Sequence, residues 1–251
     1  MGADVELWCL DGGRLLNINR AFASDTFAYQ DEEITFANSC YLIRHEREYM
    51  LWDTGLPILA AGNSELEGGG PEPLISQLAR IDIQPHRISI IGISHWHFDH
   101  VGQVSYFPNA RLLVGKSDSE KIASGDTNDQ IDANLAARLR DHNNVEQVVG
   151  DKDVFGDGSV IIVATPGHTL GHQSLLVRLR ESGPIILSGD LWYLAEQIPT
   201  GEMSAFTEDR SHSLASMDRV RKIAKNLRAK IIVQHDMLDV EKLQPFPAST
   251  R

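Results

Sequence analysis

The stretch Ser94-His95-Trp96-His97-Phe98-Asp99-His100-Val101-Gly102 constrains this chain more than any other. Three imidazoles and a carboxylate fall within six consecutive positions. Polar side chains crowded onto one tight turn repel one another and lose hydration unless a cation gathers them, and His with Asp is a donor set that divalent metals take. The alternative, a surface loop that merely happens to be rich in histidine, leaves the density of the cluster unexplained. Directly upstream, Ile88-Ser89-Ile90-Ile91-Gly92-Ile93 is a short apolar, β-branched run of the kind that forms a buried strand. His95 and His97 therefore stand where a strand ends. Residues two apart in extended backbone point to one side, so both rings can reach one ion. Asp99 and His100 follow the turn and can reach a second.

The length of 251 residues and an apolar fraction of 42% suit a full core, and no linker composition interrupts the chain, so residues 1–251 are read as a single domain. A net charge of -12 argues against nucleic acid or an anionic membrane as a partner, since both would be repelled. Cys9 and Cys40, the only cysteines, lie in or beside apolar strand-like runs and are read as buried free thiols of a reduced compartment, although two cysteines leave a disulfide open. The acidic start Met1-Gly2-Ala3-Asp4-Val5-Glu6 lacks a basic segment followed by an apolar one, and no run approaches the roughly 18 apolar residues of a membrane helix. A cytoplasmic protein is expected.

Taken in order, Val5 to Leu10 is a strand candidate closed by the turn signal Asp11-Gly12-Gly13. Residues 15–36 show no clear period and carry Phe22, Phe27, Tyr29 and Phe36, which fits either a functional wall or a packed loop. Residues 40–43 and 49–52 read as a strand pair about the charged turn 45–48, and the second strand ends in Asp53-Thr54-Gly55. Residues 56–72 include Gly68-Gly69-Gly70-Pro71 and read as a mobile loop. A short helix is expected from Pro73 to Arg80, a strand over 110–114, and a helix whose apolar face carries Ile131, Leu135 and Leu139.

The second half repeats one pattern three times. The run Val160 to Ala164 leads into Thr165-Pro166-Gly167-His168, Pro184 to Leu187 into Ser188-Gly189-Asp190, and Lys230 to Val233 into Gln234-His235-Asp236. Each strand delivers one possible ligand at its C-terminal end, so with the first motif four strand ends converge, as active-site loops do over a sheet. Leu214, Met217, Val220, Ala224 and Leu227 give the preceding helix an apolar stripe.

The set His95, His97, Asp99, His100, His168, Asp190 and His235, with the Asp53-Thr54-Gly55 turn and the segment 165–172, resembles the metallo-β-lactamase superfamily. The fold this implies is an α/β protein, an αββα sandwich with a dinuclear metal site at the edge of its two sheets. Phe98 inside the first motif, the run 166–175 and Tyr193, three residues after Asp190, are most similar to the N-acyl homoserine lactonases. The resemblance implies two divalent metal ions, zinc foremost: His95, His97 and His168 on one, Asp99, His100 and His235 on the other, and Asp190 bridging them. The implied reaction is lactone opening by a hydroxide held between the metals, with Tyr193 donating to the developing oxyanion and Asp99 as proton carrier.

Other residues have blander roles. Tyr193 has a competing reading as a rim aromatic. Asp53 is expected to orient a ligand or fix a turn, His172 to hydrogen-bond structurally, and His45, His86, His142 and His212 to lie at the surface. Classical β-lactamases usually lack the bridging Asp or carry a Cys in the second site, and neither cysteine here is near a ligand. The glyoxalase II thioesterases share all the ligand types but use cations of an added C-terminal region, where this chain has only Lys242 and Arg251 after His235. Another small lactone would use the same chemistry, and a metal-stabilised binding protein without turnover is the non-enzymatic alternative. A small-molecule lactone and a second copy of the chain are the expected partners.

Overall fold

The computed structural model describes residues 3–58, 72–125, 127 and 131–251. The first sheet contains β1 (Val5–Asn19), β2 (Glu33–His45), β3 (Glu48–Trp52), β4 (Ile88–Gly92), β5 (Arg111–Gly115) and β6 (Val145–Val148), paired in that order. Its first three strands are antiparallel and the rest parallel. The second sheet holds β7 (Lys152–Asp153), β8 (Val160–Ala164), β9 (Gln173–Leu179), β10 (Gly183–Leu187) and β11 (Lys230–Ile232) in the order β11-β10-β9-β8-β7, antiparallel except for the β10–β11 pair. The helices are α1 (Leu74–Ala79), α2 (Phe98–Val101), α3 (Lys116–Ser124), α4 (Ala133–Arg140), α5 (Gln197–Thr200), α6 (Arg210–Leu227) and α7 (Met237–Val240).

Alternation along the strands builds the layers. Tyr41 and Ile43 of β2, Trp52 of β3 and Leu113 of β5 face Ile162 of β8, Leu175 and Val177 of β9 and Leu187 of β10 between the sheets. Their neighbours Leu42, Leu51, Leu112 and Val114 turn the other way, onto Leu74 and Leu78 of α1, Ile122 of α3 and Leu135 and Leu139 of α4. On the far side, Val163, Leu176 and Ile186 meet Met217, Val220 and Ala224 of α6. Side chains repeating every second residue along strands and every third or fourth along helices produce an αββα sandwich, each buried aliphatic contributing about 1.5–3 kcal/mol.

Two expectations for the N-terminal region are corrected. The Asp11-Gly12-Gly13 signal does not close the first strand; β1 continues to Asn19, paired with β2, with register shifts between Asp11 and Arg14 and between Leu15 and Ile18. Those glycines serve a bulge and a close approach. Gly13 has φ +109°, and a Cβ on Gly12 would lie 2.6 Å from the Asn38 carbonyl oxygen. The stretch 15–36 is consequently less irregular than its composition: it holds the end of β1, a single 3-10 turn at Arg20–Ala23 and the start of β2. Within 56–72, residues 59–71, with the glycine triplet, lie outside the described residues. Sequence periodicity also missed β6, β7, β9 and α3.

The sheets are stitched together at the edge where the first motif emerges. Gln173, at the start of β9, donates its backbone N–H to the Ser94 carbonyl (2.8 Å) and its side-chain amide to that of Ile93 (2.9 Å). The C-terminal ends of β4, β8, β10 and β11 therefore open onto one edge. Cys9 is half-buried and Cys40 fully buried, both as free thiols.

Candidate metal centre

Two groups of donors meet at this edge. His95, His97, His168 and Asp190 form one, and Asp99, His100 and His235 the other, the ligand atoms within each group lying within 4.8 Å of one another. His95 and His97 follow β4, His168 follows β8, Asp190 follows β10 and His235 follows β11, while α2 carries Asp99 and His100. The seven residues marked in the sequence are thus brought together.

Asp190 stands between the groups. Its Oδ2 lies 3.6 Å from His95 Nε2 and 3.4 Å from His168 Nε2, and its Oδ1 lies 3.2 Å from His100 Nε2 and 3.1 Å from His235 Nε2. Each oxygen faces a different set of imidazoles. Asp99 Oδ2 approaches only the second set, 3.4 Å from His100 Nε2 and 3.7 Å from His235 Nε2. In the first set, His97 Nδ1 is 2.9 Å from His95 Nε2 and 3.0 Å from His168 Nε2.

Metal ions fit these residues. His100 Nε2 and Asp190 Oδ1, both facing the centre, are buried without a hydrogen-bond partner, although they are near neighbours. Orphaned polar atoms at this density are costly unless something else satisfies them. Burial lowers the imidazoles of His95, His97 and His168 below the usual histidine range, which keeps them neutral with lone pairs available. Burial opposes ionisation of Asp190, but the facing His235, His100 and His95 hold its carboxyl well below the usual range. Burial disfavours the charged form of His100 and His235 as well, but Asp190 draws both upward, towards holding a proton whose place a cation among them would take over. Neutral imidazoles with a bridging carboxylate suit zinc and its neighbours.

The outward nitrogens are held by the scaffold. His100 Nδ1 meets Asp53 Oδ2 at 3.0 Å, His235 Nδ1 the Ala37 carbonyl at 2.7 Å and His95 Nδ1 the Ser94 hydroxyl at 3.1 Å, which turns each Nε2 inward. Asp53 has the orienting role expected of it. It also accepts the Ser94 N–H (2.6 Å) and the Gln234 amide (3.0 Å), and adopts φ +59°, a strained conformation this network maintains. Thr54 donates its N–H to the His100 carbonyl (2.7 Å), and Gly102 donates to that of Gly55 (2.8 Å). A Cβ on Gly102 would lie 2.2 Å from Pro57 N, so α2 sits on this turn only because residue 102 is glycine.

Tyr193 is half-buried within the site, its ring 5.4 Å from that of His235, 5.8 Å from that of His168 and 5.5 Å from Phe36. Burial, then the charge of Asp190, raises its phenol well above the ordinary value, so it carries a proton to donate. His172 is no ligand in either group. His86, His142 and His212 are exposed as expected. His45 differs: it is half-buried, stacks on Phe155 at 4.1 Å and lies 2.9 Å from Asp157 Oδ2, because β2 ends beside the β7–β8 turn.

Sequence reasoning missed the supporting residues. Asn38 donates to the Asp99 carbonyl (2.7 Å), Gln234 reaches Asp53, and Asp118 accepts from Trp96, Thr169 and Gly171. Only Gln234 carried a signal, its place beside His235. Of the tail cations, Lys242 pairs with Asp239, and Arg251 with Glu6 at 2.8 Å.

Comparison with known proteins agrees with this geometry. The sequence pattern of the Metallo-beta-lactamase superfamily matches residues 34–235. An N-acyl homoserine lactonase from a Bacillus species is 28% identical over 220 residues, 83% of this chain and 84% of its own. The crystal structure of a quorum-quenching N-acyl homoserine lactone lactonase superposes with a TM-score of 0.84 at 25% identity, covering 100% of this chain and 99% of the other. An N-acyl homoserine lactone hydrolase, solved with N-hexanoyl-L-homoserine bound at its catalytic metal center, shares the fold with a TM-score of 0.82 at 24% identity, all of both chains being covered.

Proposed function

The chain belongs to the metallo-beta-lactamase superfamily, and on that premise we propose that it opens the lactone ring of N-acyl homoserine lactones, a quorum-quenching hydrolysis, at a centre holding two divalent ions, zinc foremost. The observation that carries this reading is Asp190, whose two oxygens face two separate sets of imidazoles, with Tyr193 beside both. Similarity over 83% of the chain to a lactonase of that substrate supports it.

His95, His97 and His168 would hold one ion, Asp99, His100 and His235 the other, and Asp190 both. Such a pair lowers the pKa of a water towards neutrality and polarises the carbonyl under attack. The chain's own residues supply the rest. Tyr193 donates its phenol proton in a hydrogen bond to the ring carbonyl oxygen as negative charge develops there. Asp99, only 5% exposed, carries the proton released by the attacking water to the ring oxygen, which leaves as a hydroxyl. Opening the ring consumes one water and yields the N-acyl homoserine.

The similarity to N-acyl homoserine lactonases favours a lactone over a glutathione thioester, and the tail after His235 offers only Lys242 and Arg251 as cations, each next to a carboxylate. The test is a panel of homoserine lactones of different acyl length, run beside a glutathione thioester, a β-lactam and an unrelated small lactone. Hydrolysis of the homoserine lactones at least tenfold faster than the rest is expected, and a preference for the thioester would replace this reading.

The remaining features follow from the same proposal. Residues 1–251 act as one hydrolase domain, with neither nucleic acid nor membrane as partner. No helix among the described residues is long and apolar enough to cross a membrane, and cytoplasmic location is proposed with the free thiols in support. Phe27, 94% exposed, and the contacting pair Phe22 and Phe206 offer an apolar surface for a homodimer. Light scattering at micromolar concentration tests this, a fully active monomer counting against it.

A further inference from the structure

Asp118 lies in the first turn of α3, only 1% exposed, and belongs to neither donor group. Its carboxylate accepts three hydrogen bonds, and all come from the loops that carry the first group. Oδ2 takes the backbone N–H of Trp96, the residue between His95 and His97, at 3.2 Å. The same oxygen takes the hydroxyl of Thr169, directly after His168, at 2.7 Å. Oδ1 takes the backbone N–H of Gly171 at 2.7 Å. One buried side chain thus ties a loop of the first sheet to a loop of the second.

The packing leaves that link little freedom. A Cβ on Gly115, at the β5–α3 corner, would lie 1.9 Å from the Gly171 carbonyl oxygen, and one on Gly171 would lie 2.5 Å from Asp118 Oδ1. Both glycines are needed for the loop after His168 to press against the start of α3. One turn further along, Lys121 lies 4.6 Å from the centre of the Trp96 ring and pairs with Glu208, whose other oxygen accepts the Leu170 N–H at 3.0 Å. A single face of α3 therefore grips both loops, from beneath through Asp118 and from outside through Lys121.

We infer that Asp118 is a positioning residue for the His95, His97 and His168 site: it fixes the distance between two loops that β4 and β8 deliver separately, and so sets how tightly that site holds its ion. It touches neither the ion nor the substrate. The inference rests on the dinuclear reading of the centre. Removing a partner that orients metal-binding residues costs about ten- to a hundredfold in affinity or activity.

The experiment is titration of zinc-loaded protein with a chromophoric chelator, reading ions retained per chain, with circular dichroism of the same samples. Asp118→Asn keeps the volume but turns an amide group towards donors. Wild type should retain two ions, and Asp118→Asn should release one of them at about ten- to a hundredfold lower chelator concentration while the spectrum stays unchanged. Thr169→Val, which deletes one of the three bonds, should shift the same ion by a smaller factor, and it decides the matter if Asp118→Asn does not fold. Unchanged retention of both ions in the folded variant, or in Thr169→Val should Asp118→Asn not fold, overturns the role of Asp118. Wild type that retains no zinc overturns the dinuclear reading, and with it the inference.

Discussion

The backbone N–H of Asp190 donates a hydrogen bond to Nε2 of His172 at 3.0 Å. This fixes the imidazole's tautomer: Nε2 carries the lone pair and Nδ1 the proton, which is given to the Thr165 carbonyl at 3.0 Å. Burial pushes the ring down to about 4, so it stays neutral. His172 thereby links the end of β8 to the turn after β10 and holds the carboxylate that faces both donor groups. Gly189 is part of the fit, since it adopts φ +56° and a Cβ there would lie 2.7 Å from His172 Nε2.

Replacing His172 by Ala leaves the buried Asp190 N–H without an acceptor, at a cost of about 1–3 kcal/mol. A lower thermal midpoint and reduced ion content, by calorimetry and elemental analysis of the same preparation, are expected. Unaltered ion content would show that Asp190 is held by other means.

Asp190 itself is the sharper test of two ions. The purified protein should carry close to two per chain, and Asp190→Ala should lower that number and abolish lactone hydrolysis, because among the described residues no other presents an oxygen to both groups. Chelator treatment of the unmodified protein should abolish activity, and added zinc should restore it. Full activity with one ion or none would end the proposed mechanism.

Tyr193→Phe deletes one phenol donor and leaves the ring packing on Phe36 and His235 intact. Oxyanion donors are worth about 2–4 kcal/mol, and less where another cation shares the charge. Lactone turnover should therefore fall about ten- to a hundredfold, at roughly 1.4 kcal/mol per factor of ten, with ion content unchanged. A variant that keeps full turnover, or that loses its ions, assigns Tyr193 a different role.

The thiols supply an independent check on the fold. Burial pushes Cys9 up to about 12, and Cys40 well above its ordinary value. Neither thiolate is populated at pH 8, so a disulfide reagent should react with almost none of the native protein and with both cysteines after denaturation. Rapid reaction in the native state would place Cys9 at an accessible surface.

Much of this protein was legible in one dimension because its chemistry is locally dense. His95 to His100 puts four of the seven donors within six positions, and the apolar runs before His168, Asp190 and His235 announce strands by composition alone. Repeats every three or four residues specified which faces of α4 and α6 would be buried, since that period is a property of the helical backbone. Tertiary structure decided whatever depends on what lies opposite. Asp11-Gly12-Gly13 reads as a turn in isolation, yet β2 supplies a hydrogen-bonded partner along its length and the same residues become a bulge. Asn38, Asp118 and Gln234 are ordinary polar residues in sequence, and only the folded chain brings Asn38 to the Asp99 carbonyl, Asp118 to Trp96, Thr169 and Gly171, and Gln234 to Asp53. A metal ligand must match the chemistry of an ion and so restricts its own residue type, whereas the residue that holds the ligand in place need only match a gap that does not exist until the chain has folded.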